Sequence, residues 1–297
     1  MLPIDAPLER IAIKGYDGTG LCVWRAGRGK HRWLLPPGLG TPVLSWKYLF
    51  EYFQDRMTIV TWDPRGCFES GKPSDLTHLT VWDHTEDALS VVNAVGWGSQ
   101  KFVAGGWSMG VEIGLEIWRC VPGQVLALTL INGTFEHVMK TAFGFPKADV
   151  LLRGLTRGAA RMSPVFAPLA TYLLGRSWAI PLLKNLGLVA ENADFFGEVL
   201  KEFRNLDFET YFQMILQTDE HSARDILPTV TVPTLITVGT GDKMTPVSIG
   251  HFMHEQIEGS ELFVIPNGTH YTTLEYPEIV NLKVEQFFRN RVFGKNF

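Results

Sequence analysis

The chain is poor in cysteine. Cys22, Cys67 and Cys120 are the only three in 297 residues, and they stand far apart with no Cys-x-x-Cys pair and no histidines at zinc spacing. This excludes a disulfide framework, argues against a zinc site, and leaves the three as buried free thiols. A long apolar run is also missing: uncharged stretches such as 162–175, which contains Pro164 and Pro168, fall short of the roughly 20 residues that a membrane-spanning helix needs. The first residues carry Asp5 early and no apolar stretch after a basic start, so no secretory signal is read there and a cytoplasmic location is expected. Nor does one sign of charge dominate, with 27 Lys and Arg against 31 Asp and Glu, a net charge of -4 and a pI near 6.1. Nothing in that balance calls for a nucleic-acid partner. The chain has no internal repeat and no low-complexity tract, and its length suffices for one large core without disulfide or metal staples.

What it does have is alternation. Short β-like runs at 10–14 and 20–25 flank Tyr16-Asp17-Gly18-Thr19-Gly20, where the Asp-Gly pair suits a tight turn, so the chain opens with a hairpin. Apolar runs at 32–35, 57–62, 102–105, 125–131, 234–238 and 262–265 then alternate with helical patterns at 43–54, 81–95, 108–121, 246–257 and 277–289. Continuous apolar runs fit strands covered on both faces, so the series predicts a doubly wound, mostly parallel α/β sheet.

Between 134 and 227 the alternation stops and helical segments follow one another, which reads as an all-helical cap inserted between core segments 1–133 and 228–297. Its first half, 140–190, carries Lys147, Arg153, Arg157, Arg161, Arg176 and Lys184 against almost no acids, whereas 191–225 is acidic. The plainer account is two helix faces that pair with each other. The alternative is a basic rim that meets an anionic partner, whether substrate, carrier protein or membrane surface.

The most informative residues are Gly106-Trp107-Ser108-Met109-Gly110, which follow the apolar run at 102–105 and open a helical pattern. Such a turn holds a serine at its apex in a strained backbone conformation, and glycines two residues away on each side remove the β-carbons that would collide. The following helix directs its positive end at the serine. A serine hydroxyl needs a base within hydrogen-bond reach, and that base needs a carboxylate to orient it. Asp242 lies in a loop after the run at 234–238 and His270 in a loop after 262–265, and loops at the carboxyl ends of parallel strands converge on one crevice. The remaining histidines fit less well. His251 and His254 lie three apart on a helical pattern with no matching carboxylate or cysteine set, so they read as a solvated face; neither a metal nor a cofactor is expected.

With Ser108, Asp242 and His270 in that chain order, the sequence resembles the α/β-hydrolase superfamily over nearly its whole length. The Asp63-Pro64-Arg65-Gly66 turn and the Pro37-Gly38-Leu39-Gly40 loop add to the likeness. The resemblance implies that Ser108 is the nucleophile, His270 the general base and later acid, and Asp242 the holder of the imidazole tautomer. The superfamily also uses an acid just after the sixth strand, but Asn132 stands there and an amide cannot stabilise imidazolium as a carboxylate does.

The resemblance further implies an oxyanion hole made by the backbone N–H groups of Met109 and of Leu39, with Gly40 as the second choice for the latter because Pro37 replaces the usual histidine. Phe68 stands where the Asp-x-Arg-Gly turn usually continues with glycine, and its ring is expected toward the cleft; Asp63 and Arg65 are expected to brace the loop. Trp46, Trp107, Phe166, Tyr172, Phe195, Phe196 and Phe212 are the aromatic candidates for a hydrophobic acyl pocket, against the reading that they are simply core.

A serine at the elbow excludes the aspartate-nucleophile branches, so the expected substrate is a small-molecule carboxylic ester cleaved through an acyl-enzyme. Peroxide, another alcohol or a carbon-carbon substrate are alternatives, as is a ligand-binding protein that retains the triad.

Overall fold

The computed structural model describes residues 4–142, 147–174, 178–190, 196–295 and 297. Arg176 and Phe195 lie outside the described residues.

The opening hairpin forms as its turn residues require. Gly18 takes φ 87°, Asp17 Oδ1 accepts a 2.9 Å bond from the Thr19 N–H, and β1 (Leu8–Lys14) pairs antiparallel with β2 (Gly20–Ala26). The rest of the sheet follows from β3 (His31–Leu34), β4 (Met57–Trp62), β5 (Phe102–Trp107), β6 (Val125–Ile131), β7 (Thr234–Gly239) and β8 (Glu261–Ile265). The eight strands run in the order β1-β2-β4-β3-β5-β6-β7-β8, antiparallel as far as the β2/β4 pair and parallel from there on. This is the expected α/β-hydrolase architecture.

Alternate residues of each strand feed two cores. Leu34 and Val60 face one with α2 (Val81–Ala94), α3 (Met109–Cys120) and α9 (Val247–Gln256). Trp33 and Ile59 face the other with α1 (Lys47–Phe53) and α11 (Pro277–Phe287). The helix expected from 43 begins as a 3-10 turn, Val43–Trp46, and continues as α1 from Lys47. Pro277 starts α11, where its missing N–H costs nothing.

After β6 the chain leaves the sheet and builds α4 (Val138–Thr141), α5 (Ala148–Leu174), α6 (Ala179–Asn185), α7 (Phe196–Glu202) and α8 (Phe208–Thr218) before β7. Arg153 of α5 binds Asp219 at 2.5 Å just past α8, so part of the basic half is met by the acidic half. Lys72 of the core reaches Glu209 at 3.1 Å. The outer face of α5 exposes Leu155, Val165, Leu169 and Tyr172 together with Arg157 and Arg161. No helix among the described residues is long and apolar enough to cross a membrane. Of the three thiols, Cys22 and Cys67 are buried as expected, but Cys120 is exposed because it sits at the outer end of α3.

The Asp63-Pro64-Arg65-Gly66 turn is a brace. The Arg65 guanidinium is wholly buried and donates to both Asp87 oxygens at 2.7 Å, to Asp17 at 3.0 Å and to the His78 carbonyl at 2.9 Å. Asp63 accepts from Trp24 Nε1 and the Glu69 N–H, and burial pushes its carboxyl up to about 7.

Candidate functional site

Four neighbouring parallel strands deliver one residue each to the carboxyl edge of the sheet. Ser108 follows β5, Asn132 follows β6, Asp242 lies three residues beyond β7 and His270 five beyond β8. The local backbone explains why each loop turns where it does. Ser108 has φ 58° and ψ -122°, a conformation that L-residues avoid and that only surrounding packing maintains. A β-carbon on Gly106 would stand 2.2 Å from the Gly110 carbonyl oxygen, and one on Gly110 would stand 2.2 Å from that of Pro36. Both glycines are therefore required for strand, helix and the 36–40 loop to close together.

Asp242 is held by five donors. Its Oδ1 accepts the N–H groups of Met244 and Thr245 at 2.9 and 2.8 Å, and its Oδ2 accepts His270 Nδ1 at 2.9 Å, the Thr245 hydroxyl at 2.7 Å and Asn132 Nδ2 at 3.1 Å. Burial works against the charge, but His270 and the Thr245 bonds outweigh it and keep this carboxyl below its ordinary range. An ionised carboxylate only accepts, so the imidazole proton sits on Nδ1 and leaves Nε2 with a lone pair.

The His270 loop is fixed from three more directions. Trp107 Nε1 donates to the His270 carbonyl at 2.8 Å, and Asn132 Nδ2 donates to that of Thr269 at 3.1 Å. Glu275, in the short α10 (Thr272–Glu275), accepts the Thr269 N–H at 2.8 Å, the Thr269 hydroxyl, and the Ala190 N–H at 2.8 Å from the inserted helices.

Ser108 and His270 line one cavity of about 130 Å³. Leu39, Thr41 and Met109 line it as well, so both expected N–H donors belong to residues of its wall. The 37–40 loop lies tightly on the serine: a β-carbon on Gly38 would be 3.1 Å from Ser108 Cβ and 3.0 Å from the Trp107 carbonyl oxygen. The inserted helices contribute Val138, Tyr211, Ile215 and Thr218 to the far wall, together with Phe203 from the 3-10 turn after α7, and Met244, Thr245 and Tyr271 complete the lining with Trp107, Glu112 and Thr134.

Of the aromatic candidates, Trp107 lines this cavity. Trp46 lies behind it, edge-on at 6.4 Å between ring centroids. Phe166 and Phe212 pack on each other at 6.1 Å, Phe196 packs on Tyr271 at 4.6 Å, and Tyr172 is 60% exposed on the outer face of α5. Their helical spacing therefore serves packing within and around the inserted segment. Phe68 does not line the cavity either. Its φ of 51° turns the ring into a neighbouring crevice with Trp24, Leu44 and Asp63.

Sequence reasoning missed Thr245, whose position three residues after Asp242 is an Asx-turn signal, and Tyr271, beside His270. Tyr211, Phe203 and Ile215 carried no signal. Among the described residues no cluster of His, Cys, Asp and Glu could hold a metal ion.

The family model for the alpha/beta hydrolase fold matches residues 34–277, from β3 to the first residue of α11. The chain belongs to the α/β-hydrolase family. Among curated relatives, this α/β-hydrolase is 24% identical to serine hydrolase BPHL from Mus musculus over 276 residues, covering 92% of this chain and 84% of that one. It is 21% identical to a proline iminopeptidase of Saccharolobus solfataricus, covering 93% and 87%. Among solved structures it superposes on a thermophilic esterase from Thermogutta terrifontis with TM-score 0.75 at 22% identity, covering 95% of this chain and 98% of that one. At these identities the structural likeness establishes the fold. The relatives named include hydrolases, esterases, lactonases and peptidases.

Proposed function

We propose that this α/β-hydrolase cleaves a small-molecule carboxylic ester through an acyl-enzyme at Ser108. The observation that carries this reading is a serine at a strained strand-to-helix turn that shares a cavity with a histidine whose Nδ1 is bound to a buried carboxylate. His270 Nε2 takes the Ser108 proton as Oγ attacks the ester carbonyl. Asp242 holds the ring and stabilises the imidazolium, and the N–H groups of Met109 and Leu39 receive the oxyanion. His270 then protonates the leaving alcohol and activates water to release the acid. The apolar wall formed by Leu39, Val138, Phe203 and Ile215 suits a hydrophobic acyl group. The helices over 134–227 serve as the cap of a core made by 1–133 and 228–297. Pairing of Arg153 with Asp219 supports mutual neutralisation within that cap; an anionic partner would instead meet the exposed Arg157 and Arg161.

A fluorophosphonate probe should label the intact protein at Ser108, and peptide mapping should find the adduct there and nowhere else. Absence of labelling together with no turnover of aryl esters graded by acyl length sinks this reading. Tight binding of a ligand that survives Ser108→Ala, with negligible ester turnover in the parent protein, would favour a ligand-binding role.

Thr245→Val removes one donor from Asp242 Oδ2 while leaving both backbone donors in place. It should lower kcat on an aryl ester about tenfold, with KM little changed, since one hydrogen bond to a charged group is worth roughly that factor. Equal kcat in the two proteins would remove Thr245 from the mechanism.

A further inference from the structure

Glu112 lies four residues beyond Ser108 on α3, hence on the same helix face and about 6 Å along the axis. It lines the same cavity, is 3% exposed, and its Oε1 has no hydrogen-bond partner. The two threonines on that side of the wall are already committed: the Thr134 hydroxyl donates to the Glu136 carbonyl at 2.7 Å and the Thr218 hydroxyl to that of Met214 at 2.9 Å.

A buried carboxyl without a partner is costly unless something meets it, and the surroundings say what kind of group that is. Three acids lie close enough to act on Glu112 electrostatically, and each is paired with a cation. Glu116 pairs with Arg119 at 2.9 Å, with His221 Nε2 3.0 Å away; Asp219 pairs with Arg153 and Glu136 with Arg224, both at 2.5 Å. Among the described residues Glu112 has no cation. Burial, with the three acids adding to it, pushes its carboxyl well above the ordinary range, which favours the uncharged acid, with one O–H to donate and a carbonyl oxygen to accept.

We propose that Glu112 recognises an uncharged hydrogen-bonding group, a hydroxyl or a ketone, on the acyl chain that fills the cavity beyond Ser108. The inference rests on the reading of Ser108 as the nucleophile. It refines the substrate from a hydrophobic ester to one whose acyl group is apolar along its length and polar toward its end. Glu112 is then a specificity residue. The chemistry at the carbonyl stays with Ser108 and His270, and Glu112 fixes how far the chain enters.

The test uses p-nitrophenyl esters of hexanoate, ω-hydroxyhexanoate and ω-aminohexanoate on the full chain and on Glu112→Gln and Glu112→Leu. The parent protein should show a kcat/KM about tenfold higher for the hydroxy ester than for the alkyl ester, the factor that one well-placed neutral hydrogen bond supplies. Glu112→Gln, which still donates and accepts without charge, should keep that preference, and Glu112→Leu should reverse it. Calorimetric binding of the corresponding methyl esters to Ser108→Ala gives the same comparison without turnover. Equal preference for the hydroxy and alkyl esters in the parent protein overturns the proposal. So does preference for the amino ester that Glu112→Gln abolishes, since that pattern belongs to an ionised carboxylate. If Glu112→Leu fails to fold, the parent and Glu112→Gln comparisons still decide. Fluorophosphonate labelling reports the nucleophile separately: labelled protein with no hydroxyl preference defeats this inference alone, whereas unlabelled, inactive protein defeats the nucleophile reading, with binding to Ser108→Ala still judging Glu112.

Discussion

Ser108→Ala should lower kcat on a short aryl ester by about a million-fold and abolish fluorophosphonate labelling, while the fold and the ligand cavity persist. The magnitude follows from the proposed roles, in which the groups act as one unit: without the hydroxyl, the proposed base and its carboxylate would have nothing to activate, and only transition-state binding by the proposed oxyanion donors would survive. His270→Ala should cost about as much. Asp242→Asn should cost less, on the order of ten-thousand-fold, because an amide can still bond to the ring but presents a donor where an acceptor is needed and favours the wrong tautomer. The ranking is the informative part. Burst kinetics with the parent protein and steady-state rates for the three variants measure it, and an Asp242→Asn rate within tenfold of the parent would mean that the carboxylate has only a packing role. Alanine at 108 also relieves the hydroxyl of its place at a positive-φ turn without removing the turn itself, so thermal stability is expected to change little.

The largest effect on stability is expected at a residue that touches no substrate. Arg65→Met should destabilise the protein by about 3–5 kcal/mol, because it strips the partner from Asp87, whose side chain is wholly buried. Burial already pushes the Asp87 carboxyl up, and Arg65, more than the Tyr16 N–H, opposes that push. Without Arg65 the carboxyl rises further. A group with a raised folded-state pKa favours the fold at low pH and loses that contribution as pH climbs, so the deficit of Arg65→Met should be widest near pH 8 and narrow toward pH 5. Urea midpoints at the two pH values measure the difference. The double variant Arg65→Met/Asp87→Leu should recover much of the loss, since two apolar side chains leave no stranded charge. A deficit that is flat with pH and unrelieved by the second substitution would show that Arg65 stabilises through its contact with the Tyr16 ring, 4.8 Å from the guanidinium carbon to the ring centroid, and not through Asp87.

How much of this was legible in the chain differs by element, for physical reasons. Strands of the parallel sheet announce themselves because they are covered on both faces, and the glycine spacing around Ser108 reports a backbone collision that any reader of the sequence can anticipate. Asp242 and His270 are legible because each lies in the loop that follows a strand, and such loops converge at the carboxyl edge of a parallel sheet. The cavity wall is another matter. Tyr211 and Ile215 arrive on α8, and nothing local tells which side of that helix meets the sheet. The aromatic residues chosen from composition mostly pack on one another, as Phe166 does on Phe212, since large rings at helical spacing satisfy the core before they satisfy a ligand. Glu112 escaped notice because an acid on an amphipathic helix ordinarily marks its solvent face. Here the segment folded over α3 buries it.

Glu275 joins two distant parts of the chain. Its carboxylate receives the Ala190 N–H from the inserted segment and both Thr269 donors from the loop that carries His270. Displacing the chain at 190 therefore strips a donor from the same carboxylate that steadies the histidine loop. One carboxylate therefore ties the inserted segment at residue 190 to the loop that carries His270.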